Sequence, residues 1–196
     1  MNLQIVLGGF LGMLLVACMM ASTAYTKPLV PENCSYNNTD ILCHKSVQNS
    51  RSAVKLLRDL MKDRLASYLS YNGIGKNQCI YTGLEDRFLL HAVNESERLI
   101  EIQKVLVFID ASLREITREQ REFNPNLRTF HSELEGTASQ IASLASNVAC
   151  LMCERYSTPV KVEVPQLHRP PGVFRQKQWS CLVLSNSALF FTRDII

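Results

Sequence analysis

Cys150 and Cys153 stand as C-L-M-C, a spacing that can serve thiol–disulfide exchange or supply half of a zinc site. A thioredoxin-type pair follows a strand and opens a helix, which lowers the thiol pKa. Here the pair lies near the end of a long helical stripe, after Leu144 and Val148. Zinc would need two more ligands, and His44, His91, His131 and His168 form no ligand-spaced cluster. The chain has no G-x-S-x-G, no H-E-x-x-H and no Gly-rich phosphate loop, the patterns of hydrolase and nucleotide chemistry. Glu97, Glu101, Glu115 and Glu119 sit among Arg98, Lys104 and Arg118 in the manner of a solvated helix face, where ion pairs contribute little. No catalytic residue, metal or cofactor is expected.

The start of the chain sets the redox context. MNLQIVLGGFLGMLLVACMMASTA, residues 1–24, carries no charge, is apolar from Leu3 to Met20, and ends in small residues with Ser22 and Ala24 suitably placed. This is the pattern of a secretory signal peptide; an uncleaved anchor is the alternative, because the run is near the minimum length for a span. Cleavage is expected after Ala24, leaving residues 25–196 as one secreted domain. N-terminal sequencing of the secreted protein should start at Tyr25; a start at Met1, or well inside the first helix, would contradict it.

Of the seven cysteines, Cys18 falls in the leader, leaving Cys34, Cys43, Cys79, Cys150, Cys153 and Cys181. An even set in a secreted chain implies a disulfide framework whose connectivity the sequence leaves open. Thiol titration separates the two readings of the C-x-x-C: structural bridges leave no free thiols, whereas a redox pair cycles. Sequons at Asn33, Asn37 and Asn94 fit passage through the secretory pathway. The net charge of +3 is modest and its basic residues are interspersed with acidic ones, unlike the concentrated basic face of a nucleic-acid binder.

Four segments carry helical periodicity. In the first, Val47, Val54, Leu57, Met61, Leu65 and Tyr68 recur at helical steps up to Gly73, a natural left-handed stop. In the second, Leu99, Ile102, Leu106, Ile109, Leu113 and Ile116 follow Asn94 and Glu97, a capping-box variant. A glycan on Asn94 is expected to compete with that cap. The third is expected to open at Asn124-Pro125 and carries Leu127, Phe130, Leu134, Ala138, Ile141, Ala145, Val148 and Met152 on one stripe. From Trp179 to Phe191 nearly every residue is apolar, so a buried strand competes with a helix; its length favours a helix. The connections read long, short, long. A short link forces antiparallel neighbours and a long one can start a parallel helix, which gives an all-α, up-up-down-down four-helix bundle.

The stretch VFRQKQWSC opens the fourth helix just after Pro170-Pro171. With the apolar face centred on Trp179, Leu182, Val183 and Phe190, and about 100° per residue, Phe174 falls roughly 130° away and Lys177 almost opposite. Phe174 then either packs beneath the Pro turn as a staple or, with its neighbouring cation, serves as a binding anchor.

ITREQ followed by NP, then HSEL, then SNV with the C-x-x-C, all within residues 111–153, is similar to the leukemia inhibitory factor family of interleukin-6-type cytokines. The six cysteines, N-C-S near the mature N-terminus and the F-x-x-K of VFRQKQWSC extend the match, which weakens through residues 51–79. The resemblance implies bridges Cys34–Cys153, Cys43–Cys150 and Cys79–Cys181. It implies a secreted, monomeric, non-enzymatic cytokine that brings together the leukemia inhibitory factor receptor and glycoprotein 130 at the cell surface. Phe174 and Lys177 match the family's contact with its specific receptor, although Gln176 stands where the family is often basic. Ser143 and Asn147 match positions facing glycoprotein 130; on the first helix Ser50 and Ala53 are candidates. A sister cytokine with another specific receptor, and a secreted redox protein, remain the alternatives.

Overall fold

The computed structural model describes Cys34, residues 40–168 and 170–193, and Ile195, with the backbone alone for residues 40–48. The leader, Asn33, Asn37 and the side chain of Cys43 lie outside the described residues. Four helices form: α1 (Asp40–Asn72), α2 (Glu95–Phe123), α3 (Arg128–Tyr156) and α4 (Val173–Phe190). Two short 3-10 turns, Lys76–Gln78 and Glu85–Phe88, punctuate the first connection, and the described residues include no strand.

The apolar stripes explain the packing. Leu57, Met61 and Tyr68 of α1 are buried, as are Leu99, Ile102, Leu106, Ile109, Leu113 and Ile116 of α2. Phe130, Leu134, Ala138, Ile141, Ala145, Val148 and Met152 of α3 join them in one core. Each fully buried Leu or Ile contributes about 1.5–3 kcal/mol relative to exposure.

Side-chain bonds fix the direction of each helix. Arg64, late in α1, donates to Glu133 (2.7 Å) and Thr137 (3.3 Å), early in α3. Glu95, which opens α2, pairs with Arg155 at the end of α3 and accepts from the Tyr156 hydroxyl at 2.8 Å. Tyr68, near the end of α1, meets Glu119, near the end of α2. Therefore α1 and α2 run parallel and α3 opposes them; α4 opposes them too, since the carbonyl of Lys177, early in α4, lies 3.5 Å from the Tyr68 hydroxyl. Both α3 and α4 pack against both α1 and α2, which places α1 diagonal to α2 and α3 diagonal to α4. This is the up-up-down-down cytokine bundle.

The ends of the helices follow local chemistry. Gly73 takes φ +60° just past α1, a conformation cheap only for glycine. Asn94 caps α2, its Oδ1 accepting from the Glu97 N–H at 2.8 Å and the Ser96 hydroxyl at 3.0 Å. The cap uses the amide oxygen, whereas an N-linked glycan joins the nitrogen, so the expected competition between them disappears. Asn94→Ala is expected to cost about 1 kcal/mol, a melting temperature lower by about 2–4 °C, read by circular dichroism on deglycosylated protein.

The expected start of α3 at Asn124-Pro125 is not observed. Asn124 instead ends α2, its N–H donating to the Gln120 carbonyl at 2.8 Å. A turn closed by the Leu127 N–H donating to the Asn124 carbonyl at 3.0 Å intervenes, and α3 begins at Arg128 without a side-chain cap. The end of the first connection is tied down as well. Glu101 accepts from the His91 and Ala92 N–H groups at 2.8 and 3.0 Å; these bonds, Ala92's foremost, lower its pKa from the ordinary glutamate value.

Candidate functional site

Two regions of the bundle hold the residues singled out from the sequence. One is the end where α1 and α2 finish and α4 begins. Gly172, at φ +84°, turns the chain from Pro170-Pro171 into α4, and only glycine adopts that angle without strain. Pro170 is buried, yet Phe174 two residues into α4 is 56% exposed. A staple would be covered. Phe174 projects from the surface beside the exposed Val173 and Arg175.

Lys177 is not opposite the core. It is half-buried, and its ammonium lies 5.8 Å from the centroid of the Phe123 ring, the last residue of α2. A cation over an aromatic face at that distance is attracted by the ring quadrupole. The correction has a simple cause. The buried face of α4 includes Ser180, Cys181, Leu184, Ser187 and Ala188 beside Trp179, Val183 and Phe190, while Leu182 is only half-buried. Those small and polar residues turn the face roughly a quarter turn from the centre that the large side chains suggest. Lys177 falls on its shoulder. Phe174 and Lys177 remain neighbours, three apart on one helix.

Beneath this turn lies a polar cluster. Glu119 is buried, contrary to its expected place on a solvated face. Its Oε1 accepts from the Tyr68 hydroxyl at 2.9 Å and its Oε2 from the Ser180 hydroxyl at 2.7 Å. Burial, and then the charge of Glu119, push Tyr68 far above the ordinary tyrosine pKa, so its hydroxyl stays a donor. Alongside, Asn72 and Asn124 both donate to the Gln120 side-chain carbonyl, at 3.0 and 2.9 Å. Hydrophobic periodicity puts Tyr68 on the core stripe but could not reveal Glu119 and Ser180 beside it, because a polar residue at a core position reads as surface.

Sulfur fastens the same end to the first connection. Cys79 is bonded to Cys181, with 5.2 Å between Cα atoms, and the Gln178 side-chain N–H donates to the Gln78 carbonyl at 3.2 Å. Cys34 is bonded to Cys153, also at 5.2 Å. Cys150 is disulfide-bonded too, so the C-x-x-C is not closed on itself; of Cys43–Cys150, the Cys43 side chain lies outside the described residues. Among the described residues no group of His, Cys, Asp or Glu is arranged to hold a metal ion.

The second region is the outer face of α3. Ser143 is exposed and Asn147 half-buried. The Ser143 hydroxyl donates back to the Ser139 carbonyl at 3.0 Å, and that of Ser139 to Glu135 at 3.0 Å. With hydroxyls turned onto their own helix and Gly136 exposed nearby, this face has low relief, which admits a close-approaching partner. Ser50 of α1 is buried and cannot join such a surface, and Ala53 is half-buried. On that helix Arg51, Ser52, Lys55 and Leu56 are exposed instead.

No helix among the described residues is long and apolar enough to cross a membrane. No curated protein matches the chain. A family model described as the LIF / OSM family matches residues 88–192, which takes in α2, α3, α4 and the connections between them. The match covers more than half of a chain whose four helices run up-up-down-down, and the chain belongs to the LIF / OSM family of helical cytokines.

Proposed function

We propose that the mature chain is a secreted cytokine that brings the leukemia inhibitory factor receptor and glycoprotein 130 together at the cell surface. Phe174 and Lys177 meet the first receptor; Ser143 and Asn147 meet the second. The protein contributes geometry and binding energy, without catalysis or cofactor, and kinases on the receptors' cytoplasmic parts then act on each other. The leader is removed after Ala24, and Asn33, Asn37 and Asn94 are the candidate glycan sites.

The observation that carries this reading is the exposure of Phe174. A large aromatic held outside the core on a helix anchored by a disulfide is a rigid, low-entropy contact, the composition of a hot spot. The second face is on α3, diagonal to α4, so two large ectodomains can bind without colliding. A related cytokine of the same family with another specific receptor is the second reading, since the matching family model spans both LIF and OSM types.

Independence of the faces is the test. Ser143→Arg with Asn147→Arg places two long charged side chains on a low-relief face. It is expected to weaken glycoprotein 130 binding at least tenfold, a loss of about 1.4 kcal/mol, with leukemia inhibitory factor receptor binding unchanged. Equal loss for both receptors, or for neither, would remove α3 from the reading.

A further inference from the structure

We propose that Glu119 is a positioning residue for the Phe174–Lys177 turn, holding α4 in register through Ser180 and Tyr68; this rests on the receptor reading given above. A carboxylate 1% exposed loses its hydration, and isolated it would destabilise the fold strongly. Its place in the last turns of α2 adds an unfavourable dipole interaction. Two hydroxyls on two other helices offset these costs, Tyr68 from α1 at 2.9 Å and Ser180 from α4 at 2.7 Å. One side chain therefore joins three helices at one level.

The level is informative. Ser180 is one turn beyond Lys177, and the Tyr68 hydroxyl lies 3.5 Å from the Lys177 carbonyl oxygen. The ends of α1 and α2 are already joined through Asn72, Gln120 and Asn124, so Glu119 adds α4 to a fixed pair. Apolar contacts are non-directional and let a helix slide or rotate by small steps, and α4 presents many small residues to the core. The Cys79–Cys181 bridge holds the residue after Ser180 to the first connection, and the Ser180 bond to a carboxylate of α2 sets the axial position and rotation of α4 against the other helices. That sets where Phe174 projects, and it keeps Lys177 against Phe123.

A merely stabilising role predicts differently. Replacing a buried ionic cluster by apolar groups of similar volume is often neutral or stabilising, so Tyr68→Phe/Glu119→Leu/Ser180→Ala should melt at or above the wild-type temperature. The positioning role predicts that this folded variant loses about tenfold in affinity for the leukemia inhibitory factor receptor, the scale of one charge-assisted hydrogen bond, while glycoprotein 130 binding changes less than about twofold. Amide exchange at Gln176, whose N–H is bonded to the Gly172 carbonyl, and at Lys177 should accelerate about tenfold by the same measure. Glu119→Gln keeps an acceptor for Tyr68 and offers a donor to the Ser180 oxygen, and should restore both readouts to near wild type. Should the triple variant fail to fold, Ser180→Ala severs the α4 bond alone and should show the same two changes in smaller measure. Wild-type exchange and wild-type receptor affinity in a folded variant lacking the cluster would overturn the proposal. If Phe174→Ala/Lys177→Ala leaves receptor binding intact, the receptor reading falls, and the exchange comparison alone then decides the role of Glu119.

Discussion

Phe174→Ala combined with Lys177→Ala is expected to abolish binding to the leukemia inhibitory factor receptor while leaving the bundle folded. Phe174 is more than half exposed, and exposed substitutions usually change stability by less than about 0.5 kcal/mol. Lys177 gives up its contact with the Phe123 ring, worth about 0.5–1 kcal/mol at a solvated site. The melting temperature should therefore fall by only about 2–6 °C for a chain of this size. Binding should fall much further, because an aromatic anchor commonly contributes about 2 kcal/mol or more, some thirtyfold in affinity, and loss of the cation slows encounter. Glycoprotein 130 should bind as before. Surface plasmon resonance and circular dichroism read the two quantities on the same preparation. A melting loss well beyond this range would make Phe174 a packing residue, and unchanged receptor binding would put the anchor elsewhere.

The second large effect concerns the bridge behind that turn. Cys79→Ser with Cys181→Ser is expected to cost about 2–5 kcal/mol, or roughly 5–20 °C in melting temperature. The bridge ties the first connection to the middle of α4. Without it, the neighbouring Gln178–Gln78 contact is exposed and weak. A loss below about 1 kcal/mol would mean that packing against the buried face of α4 holds this segment by itself.

Most of the fold was legible because large apolar side chains sit at helical steps. Leu99 through Ile116 announce α2 directly, and every one of them is buried. Long, short and long connections then select the topology, since a tight α2–α3 turn admits only antiparallel neighbours. The boundary at Asn124 was misread because Asn serves both helix starts and helix ends, and only the partner of its N–H, the Gln120 carbonyl, tells them apart.

The site was legible in part. Phe174 stood out as an aromatic among charges, and its exposure agrees with an anchor better than with a staple. The facing of Lys177 was not legible. Ser180 and Ser187 occupy the core side of α4 because their hydroxyls are satisfied there, by Glu119 and by the Val183 carbonyl at 2.7 Å, and hydropathy assigns such residues to the surface. Glu119 was misplaced for the same reason: its neighbour Arg118 pairs with Glu115 and Glu122 on the outer side of α2, and that exposed pattern hides the inward carboxylate.

Whether one molecule holds two receptors at once is decided by sequential binding. The leukemia inhibitory factor receptor ectodomain is fixed to a surface, the mature protein is loaded to saturation, and the glycoprotein 130 ectodomain is added last. The predicted result is a further mass increase approaching one glycoprotein 130 per bound cytokine, absent on a surface without the cytokine and reduced by Ser143→Arg/Asn147→Arg. Displacement of the cytokine by glycoprotein 130, or no second increment despite binding to each receptor alone, would contradict a two-faced ligand.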